Sequence, residues 1–236
     1  MERFLLNASF DTFLVSKSNK FAYKSALSFA QNIDNDKTDG THSFLCISGG
    51  FGVGKTHLLL SIKDYIEISN PSLKVFYVSI AQFILMFINA IKEDKTTEFR
   101  QNLNAYDVFL IEDIHEIWGK SATSEELYRL LKNVLSLGKK VAITYNPAMS
   151  EDFMTDIHNR YILDLINSSL VATIDTPDRR LLYRYYTEHT TMVNKNLLFN
   201  ITNRNIRRVF KCESINEVIG LVRSQNMKEY LKQMML

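Results

Sequence analysis

A glycine-rich segment carries the clearest chemistry in this 236-residue chain. Residues 49–56 read GGFGVGKT and match the pattern G-x-x-x-x-G-K-[ST], between a short apolar run and a helical stretch. Glycines let successive backbone N–H groups turn towards a phosphate, and the N-terminus of the following helix adds positive potential there. We expect Lys55 to reach the β- and γ-phosphates and the Thr56 hydroxyl to bind Mg²⁺. The segment therefore predicts a site for nucleotide phosphates.

A second group of side chains suits the same chemistry. The apolar run 108–111 is followed by Glu112 and Asp113, and Asn146 comes just after the apolar run 141–144. Ligands collect at the carboxyl ends of parallel strands, where carboxylates can bind Mg²⁺ and orient an attacking water. An ordinary acidic loop, and a turn residue before a proline, are the alternatives that the residues leave open.

The elements that must position these residues alternate along the chain. Short β-rich runs predict strands at 44–48, 74–79, 107–111, 140–144 and 170–174, with helical stretches at 55–68, 81–92, 124–137 and 149–159. This pattern predicts an α/β fold in which a parallel sheet carries helices on both faces. No strand pattern follows Pro177, so we expect a nucleotide-binding domain over 1–176 and a helical lid with C-terminal helices over 177–236.

Composition excludes several classes of protein. The chain is 46% hydrophobic and 23% charged, close to the globular average, and no apolar run is long enough to span a membrane. Its two cysteines indicate a reducing, cytoplasmic location, without a disulfide scaffold or a zinc site. Between residues 177 and 211, eight Lys and Arg residues outnumber two acidic ones. This excess favours an anionic partner, although a solvated helical surface explains it as well.

With these motifs in hand, the chain resembles the AAA+ ATPase core of the DnaA replication-initiator family from about residue 9 to residue 211. The segments that carry the resemblance include FDTFLV at 10–15, GGFGVGKTHLL at 49–59, LIEDI at 110–114, GK at 119–120 and NIRRVF at 205–210. The resemblance implies a P-loop AAA+ fold with a small all-helical lid, ATP or ADP as the bound nucleotide, and Mg²⁺.

The resemblance also assigns residues to roles. It implies a nucleotide pocket formed by Phe13, Leu14, Val15, Gly50, Gly52, Val53, Gly54, Lys55, Thr56, His57 and Arg207. It implies Mg²⁺ binding by Thr56 and Glu112, and catalytic roles for Lys55, Glu112, Asp113, Asn146 and Arg160. Arg160 would be an arginine finger that reaches the γ-phosphate of a neighbouring subunit, and Arg207 a lid arginine that senses nucleotide within its own subunit. A surface ion pair is the open alternative for each arginine.

Three departures from the family pattern bear on function. Glu112 stands where the family usually has Asp, so we expect hydrolysis to be slow or absent. Ser121 and Ala122 follow Lys120 where the family has a second basic residue, so we expect only weak contact with single-stranded DNA. Only 25 residues follow Lys211, too few for the family's helix-turn-helix domain, so we expect no sequence-specific binding of duplex DNA.

Two functional hypotheses follow from the resemblance. In the first, the chain is a slow ATPase that regulates or assists the initiation of DNA replication through nucleotide-dependent assembly. In the second, it is a nucleotide-locked adaptor, or a module like a helicase loader, that binds a replication protein or single-stranded DNA. The implied partner is a replication initiator, a helicase or a sliding clamp. No binding to a membrane is expected. The implied assembly is a homo-oligomer or a hetero-oligomer with a related AAA+ protein.

Overall fold

The computed structural model describes residues 8–33, 43–117, 119–149 and 157–178, together with Leu181 and Arg184. The strands in these ranges are β1 (Phe44–Gly49), β2 (Val75–Ser79), β3 (Val108–Glu112), β4 (Lys140–Tyr145) and β5 (Leu170–Ile174). The α-helices are α1 (Lys20–Gln31), α2 (Lys55–Ser69), α3 (Ile80–Lys92), α4 (Thr96–Leu103), α5 (Ser121–Ser136) and α6 (Ile157–Ser168). Short 3₁₀ turns occupy Ile114–Ile117 and Pro147–Met149.

The strands form one parallel sheet in the order β2-β3-β4-β1-β5. The five strands predicted from the sequence are confirmed, to within one residue at each end. Nearly every residue of β1, β3 and β4 is buried, because helices cover both faces of these strands. Burial on both faces explains why the three strands read as continuous apolar runs rather than as alternating ones. The predicted α/β fold is therefore confirmed for the described part of the chain.

Two apolar cores lie on opposite faces of the sheet. On one face α3, α5 and α6 bury Phe83, Leu131 and Ile162. On the other face α1 and α2 bury Ala26 and Leu59. Alternate residues of β3 enter the two cores, since successive side chains of a strand point to opposite faces. The sheet is thus fixed from both sides, and its carboxyl edge becomes a rigid platform.

The helix predictions are confirmed for α2 and α3, and α5 begins three residues earlier than predicted. The predicted helix over 149–159 is wrong in its bounds. Residues 147–149 form a 3₁₀ turn, and α6 continues to Ser168 because Ile162 and Ile166, four residues apart, both face the core.

Helices α1 and α4 were not predicted from the sequence. The buried positions of α1 include the small residues Ala22, Ser25 and Ala26, which give little apolar contrast. Helix α4 is short, and only Leu103 is buried in it. The periodicity of both helices is therefore weak in the sequence alone.

Several predictions fall outside the described residues. These are the C-terminal helices, most of the lid and Arg207. Among the helices of the described ranges, none is long and apolar enough to cross a membrane.

Candidate functional site

The glycine-rich loop joins the end of β1 to the start of α2, and it draws the Lys55 side chain inward. Lys55 is only 7% exposed, and its Nζ donates to the carbonyl oxygens of Gly49 at 3.0 Å and Gly50 at 2.7 Å. Burial lowers the pKa of Lys55, and the carboxylates of Asp113 and Glu112 oppose that shift. An ammonium group has three N–H donors, so one remains for a ligand oxygen. An anion bound here would favour the charged form of Lys55 and would raise its pKa again.

The backbone of the loop and the end of α2 suit an anion. Gly52 has φ +71° and Gly54 has φ +109°, in a region that side chains other than glycine rarely adopt. No side chain caps α2, and its first turn contains no acidic residue. The first N–H groups of a helix have no partner within it, so here they are available to a phosphate.

Oxygen atoms that suit Mg²⁺ lie beside the loop. The Thr56 hydroxyl donates a hydrogen bond to Oε1 of Glu112, and the Tyr77 hydroxyl donates to Oε2 of the same carboxylate at 2.7 Å. Burial raises the pKa of Tyr77, and the hydrogen bond to Glu112 raises it further. The phenol therefore keeps its proton and remains a hydrogen-bond donor. Hydroxyl and carboxylate oxygens are the donors that Mg²⁺ prefers. Thr56 and Glu112, brought together from α2 and β3, therefore fit a magnesium site.

Asp113 occupies a fixed position just beyond β3. Its φ is +55°, and its backbone N–H donates to Oγ1 of Thr144 at 2.7 Å. The Thr144 hydroxyl in turn donates to Oδ1 of Asp113 at 3.4 Å. Thr144 is fully buried on β4, the strand between β3 and β1. These bonds lock the turn that presents the second carboxylate at the same edge as the loop.

Asn146 follows β4 and lies 1% exposed. Its Oδ1 accepts the backbone N–H of Ala148 at 3.2 Å, whereas its buried Nδ2 has no hydrogen-bond partner among the described residues. Because an unsatisfied buried donor is costly, an arrangement of this kind is typical of a group that meets a ligand or a water. The order of the strands places Asn146 between the loop after β1 and the carboxylates after β3.

His115 extends this polar edge. The side chain is 4% exposed, its Nδ1 has no hydrogen-bond partner in the described part of the chain, and its ring lies edge-on to Phe51 of the loop at 6.3 Å. Burial lowers the pKa of His115, and the nearby carboxylate of Asp113 partly opposes this. His115 is therefore a neutral imidazole held against the loop.

The predicted base pocket contains a group of packed rings. The Phe13 ring is stacked on Tyr23 at 5.9 Å and lies edge-on to His57 at 5.2 Å. A Cβ atom at Gly54 would lie 3.0 Å from Cε2 of Phe13, so the loop and this ring depend on each other's position. Leu14 is partly buried beside it. The predicted contacts of this segment with a nucleotide base remain a prediction.

His57 ties the N-terminal segment to α2. Its Nε2 lies 3.1 Å from both Oγ1 of Thr12 and the carbonyl oxygen of Ser9. Val15, the third predicted pocket residue, is partly buried against the core on this face of the sheet. Because His57 directly follows Thr56, these bonds hold the segment that carries Phe13 close to the phosphate loop.

The three basic residues singled out from the sequence have different outcomes. Arg160 is exposed on α6 and forms no ion pair with any residue that the structure describes. Arg207 lies outside the described residues. Lys120 is exposed beside the start of α5, where its Nζ donates to the carbonyl oxygen of Glu116 at 3.1 Å.

Sequence reasoning missed Tyr77, Thr144 and His115. Tyr77 and Thr144 belong to strands that neighbour β3, and sequence alone does not reveal which strands are neighbours. His115 lies two residues beyond the predicted acidic pair, and this proximity in sequence could have indicated that it lies near the site. A search of all polar residues near the carboxyl ends of the strands would have found all three.

Comparisons with known proteins bear on the family and the fold of the chain. The family model described as the bacterial DnaA ATPase domain matches residues 6–167, more than half of the chain. The chromosomal replication initiator protein DnaA of Thermodesulfovibrio yellowstonii is 36% identical over 170 residues, which cover 71% of this chain and 38% of that protein. The chain thus spans well under half the length of this curated relative.

Solved structures share the fold. Domain III of the Thermotoga maritima replication initiation protein DnaA is 24% identical, with a TM-score of 0.76 and coverage of 96% of this chain and 90% of that one. A replication initiator DnaA bound to AMPPCP and single-stranded DNA is 19% identical, with a TM-score of 0.75 and coverage of 96% of this chain and 67% of that one. At these identities the likeness concerns the fold alone. The family model, which matches the segments that build the site, supplies the further conclusion: the chain belongs to the bacterial DnaA ATPase-domain family.

Proposed function

We propose that this chain binds ATP or ADP with Mg²⁺ in the 49–56 loop and acts in the initiation of DNA replication as a slow, assembly-dependent ATPase. The observation that carries the proposal is the arrangement of Lys55 beside the hydrogen-bonded pair of Thr56 and Glu112. A curated relative, 36% identical to this chain, is a chromosomal replication initiator protein, and this likeness supports a role in the initiation of replication.

The residues divide the work of phosphoryl transfer. Lys55 and the N–H groups of the loop hold the phosphates and offset their charge, and Thr56 and Glu112 hold the cation. Mg²⁺, when bound, neutralises charge on the phosphate oxygens. Asp113 and Asn146 orient an attacking water, and the fixed turn at Thr144 keeps Asp113 in position.

A neighbouring copy completes the site in this proposal. Arg160 is exposed and forms no ion pair with the described residues, so its guanidinium is available to a γ-phosphate bound by a second protomer. We assign the nucleotide domain to 1–176 and the lid to 177–236, with Arg207 as the residue that senses nucleotide from the same chain. The neighbouring copy is this protein or a related AAA+ protein.

A nucleotide-locked adaptor is the second candidate, and one observation favours it. Both oxygens of Glu112 already accept hydrogen bonds, from Thr56 and from Tyr77, and Glu is one methylene longer than Asp. A carboxylate held in this way can support binding of the nucleotide while hydrolysis stays slow. In this role the protein would use its nucleotide state to engage an initiator, a helicase, a clamp or single-stranded DNA.

A mixing experiment tests the assembly directly. Lys55→Ala removes the lysine that binds the phosphates but keeps Arg160. Arg160→Ala keeps the phosphate site but removes the arginine finger. We expect ATP turnover per chain to rise with protein concentration for the unaltered protein and to be lost in each variant alone. An equal mixture should recover turnover, because about a quarter of neighbouring pairs then join an intact phosphate site to an intact finger.

Arg129→Ala is the matched control, because Arg129 is an exposed arginine paired with Glu125 on α5. It should turn over ATP like the unaltered protein. An Arg160→Ala variant with normal turnover would remove the finger from the account. Tight nucleotide binding without turnover at any concentration would favour the adaptor, and no nucleotide binding at all would end both candidates.

A further inference from the structure

The carboxylate of Glu112 is held from two sides. Thr56, on α2, donates to Oε1, and Tyr77, on β2, donates to Oε2 at 2.7 Å. The two donors therefore come from different elements and use different oxygens. A carboxylate that accepts a hydrogen bond at each oxygen has little freedom to rotate.

The register of the sheet explains how Tyr77 reaches Glu112. Strands β2 and β3 are parallel neighbours, with Tyr77 opposite Leu110 and Ser79 opposite Glu112. Residues two apart on a strand point to the same face, so Tyr77 and Glu112 are diagonal neighbours on the face that carries α2. A phenol is long enough to span this diagonal.

Glutamate has one more side-chain torsion than aspartate, so its carboxylate must lose more freedom to occupy one place. Tyr77 restricts the carboxylate through the oxygen that Thr56 does not use. We propose that Tyr77 is a positioning residue that fixes Glu112 against Thr56, so that the longer carboxylate serves the cation-binding edge of the nucleotide site. Tyr77 acts through Glu112 and does not itself contact nucleotide or metal. The inference rests on the proposed function for the identity of the ligand.

The test measures the dependence of nucleotide binding on Mg²⁺. A fluorescent ATP analogue is titrated into the full chain at a series of Mg²⁺ concentrations and in EDTA, without any measurement of turnover. Tyr77→Phe should raise the Mg²⁺ concentration for half-maximal binding by about tenfold, as expected for loss of one hydrogen bond to a charged group. Its affinity in EDTA should be unchanged, because phosphate contacts through Lys55 do not involve the phenol.

A second background separates positioning from a general structural role. The shorter side chain of Glu112→Asp withdraws from the phenol, so Tyr77→Phe should shift the Mg²⁺ midpoint less than about twofold in that background. Tyr106→Phe is the matched control: Tyr106 precedes β3, and its ring packs against Phe76 in the core on the other face of the sheet from Tyr77. It should leave the midpoint unchanged.

Each outcome decides between the claims. Equal effects of Tyr77→Phe in the two backgrounds, an equal loss of affinity in EDTA, or no shift at all would overturn the positioning role while leaving the proposed function intact. If the unaltered protein binds no nucleotide in either condition, the proposed function fails, and this inference fails with it.

Discussion

His115 is a buried titratable residue at the carboxyl edge of the sheet, and burial is the main cause of its pKa shift. Burial lowers the pKa of His115 below the ordinary value of 6.5, while in the unfolded chain the same side chain titrates normally. As the pH falls below about 6.5, the unfolded chain therefore binds a proton that the folded protein resists. The stabilising contribution of neutral His115 is present above that pH and is lost as the pH falls through the folded-state pKa.

As the pH is lowered below 6.5, we therefore expect the free energy of unfolding to fall more steeply in the unaltered protein than in the His115→Gln variant. The difference should develop below pH 6.5 and cannot exceed about 1.4 kcal/mol per pH unit, because one proton is involved. Urea unfolding of both proteins at a series of pH values measures it, and all other titrating groups cancel in the comparison. Parallel stability profiles for the two proteins would show that His115 titrates normally in the folded state.

Burial has the opposite effect on the pKa of Cys46, because an acidic group is neutral when it keeps its proton. Cys46 lies fully buried in β1, and burial raises the pKa of its thiol to about 12. A thiol in this state is a poor nucleophile and packs as a small apolar side chain. The sequence, with its apolar neighbours on both sides, was enough to predict this residue as part of the core.

At the scale of elements, an ion pair joins α4 to α5. The guanidinium of Arg100 donates to both carboxylate oxygens of Glu126, at 2.8 and 2.7 Å. Glu126 is buried, whereas about half of the Arg100 side chain is exposed. Loss of the arginine would leave a buried carboxylate without its partner, which costs more than the pair itself contributes.

Arg100→Ala should therefore lower the free energy of unfolding by about 1–3 kcal/mol, a range reduced for the solvent around Arg100. Lys95→Ala removes an exposed ion pair with Glu93, so we expect it to leave the free energy of unfolding almost unchanged. Chemical denaturation of the two variants provides the comparison. Equal stabilities would mean that the pair of Arg100 and Glu126 does not hold α4 in place.

Element prediction succeeded where the apolar pattern is strong. Strands buried on both faces appear as short apolar runs, so β1, β3 and β4 could be predicted from the sequence. Helix α1 was missed because its buried face includes small residues, and α6 was placed too early because its buried isoleucines, Ile162 and Ile166, follow Arg160. Tertiary packing, rather than local preference, sets these two helices.

At the scale of the whole molecule, the order of the strands assembles the site. Placing β4 between β1 and β3 brings Asn146 and Thr144 between the phosphate loop and Asp113. The sequence predicted the loop, the acidic pair and Asn146 because each directly follows an apolar run. It could not predict the hydrogen bond from Tyr77 to Glu112, since that contact depends on which strand lies beside β3.

The central claim is that the 49–56 loop binds nucleotide through Lys55, and calorimetric titration with Mg²⁺-ATP tests it most directly. Lys63→Ala is the control, since Lys63 lies on the same helix in an exposed ion pair with Glu67. We expect the unaltered protein and the Lys63→Ala variant to bind with the same affinity, and Lys55→Ala to bind at least about tenfold more weakly, as loss of a charged phosphate contact requires. Failure of the unaltered protein to bind, or equal affinity after Lys55→Ala, would contradict the account.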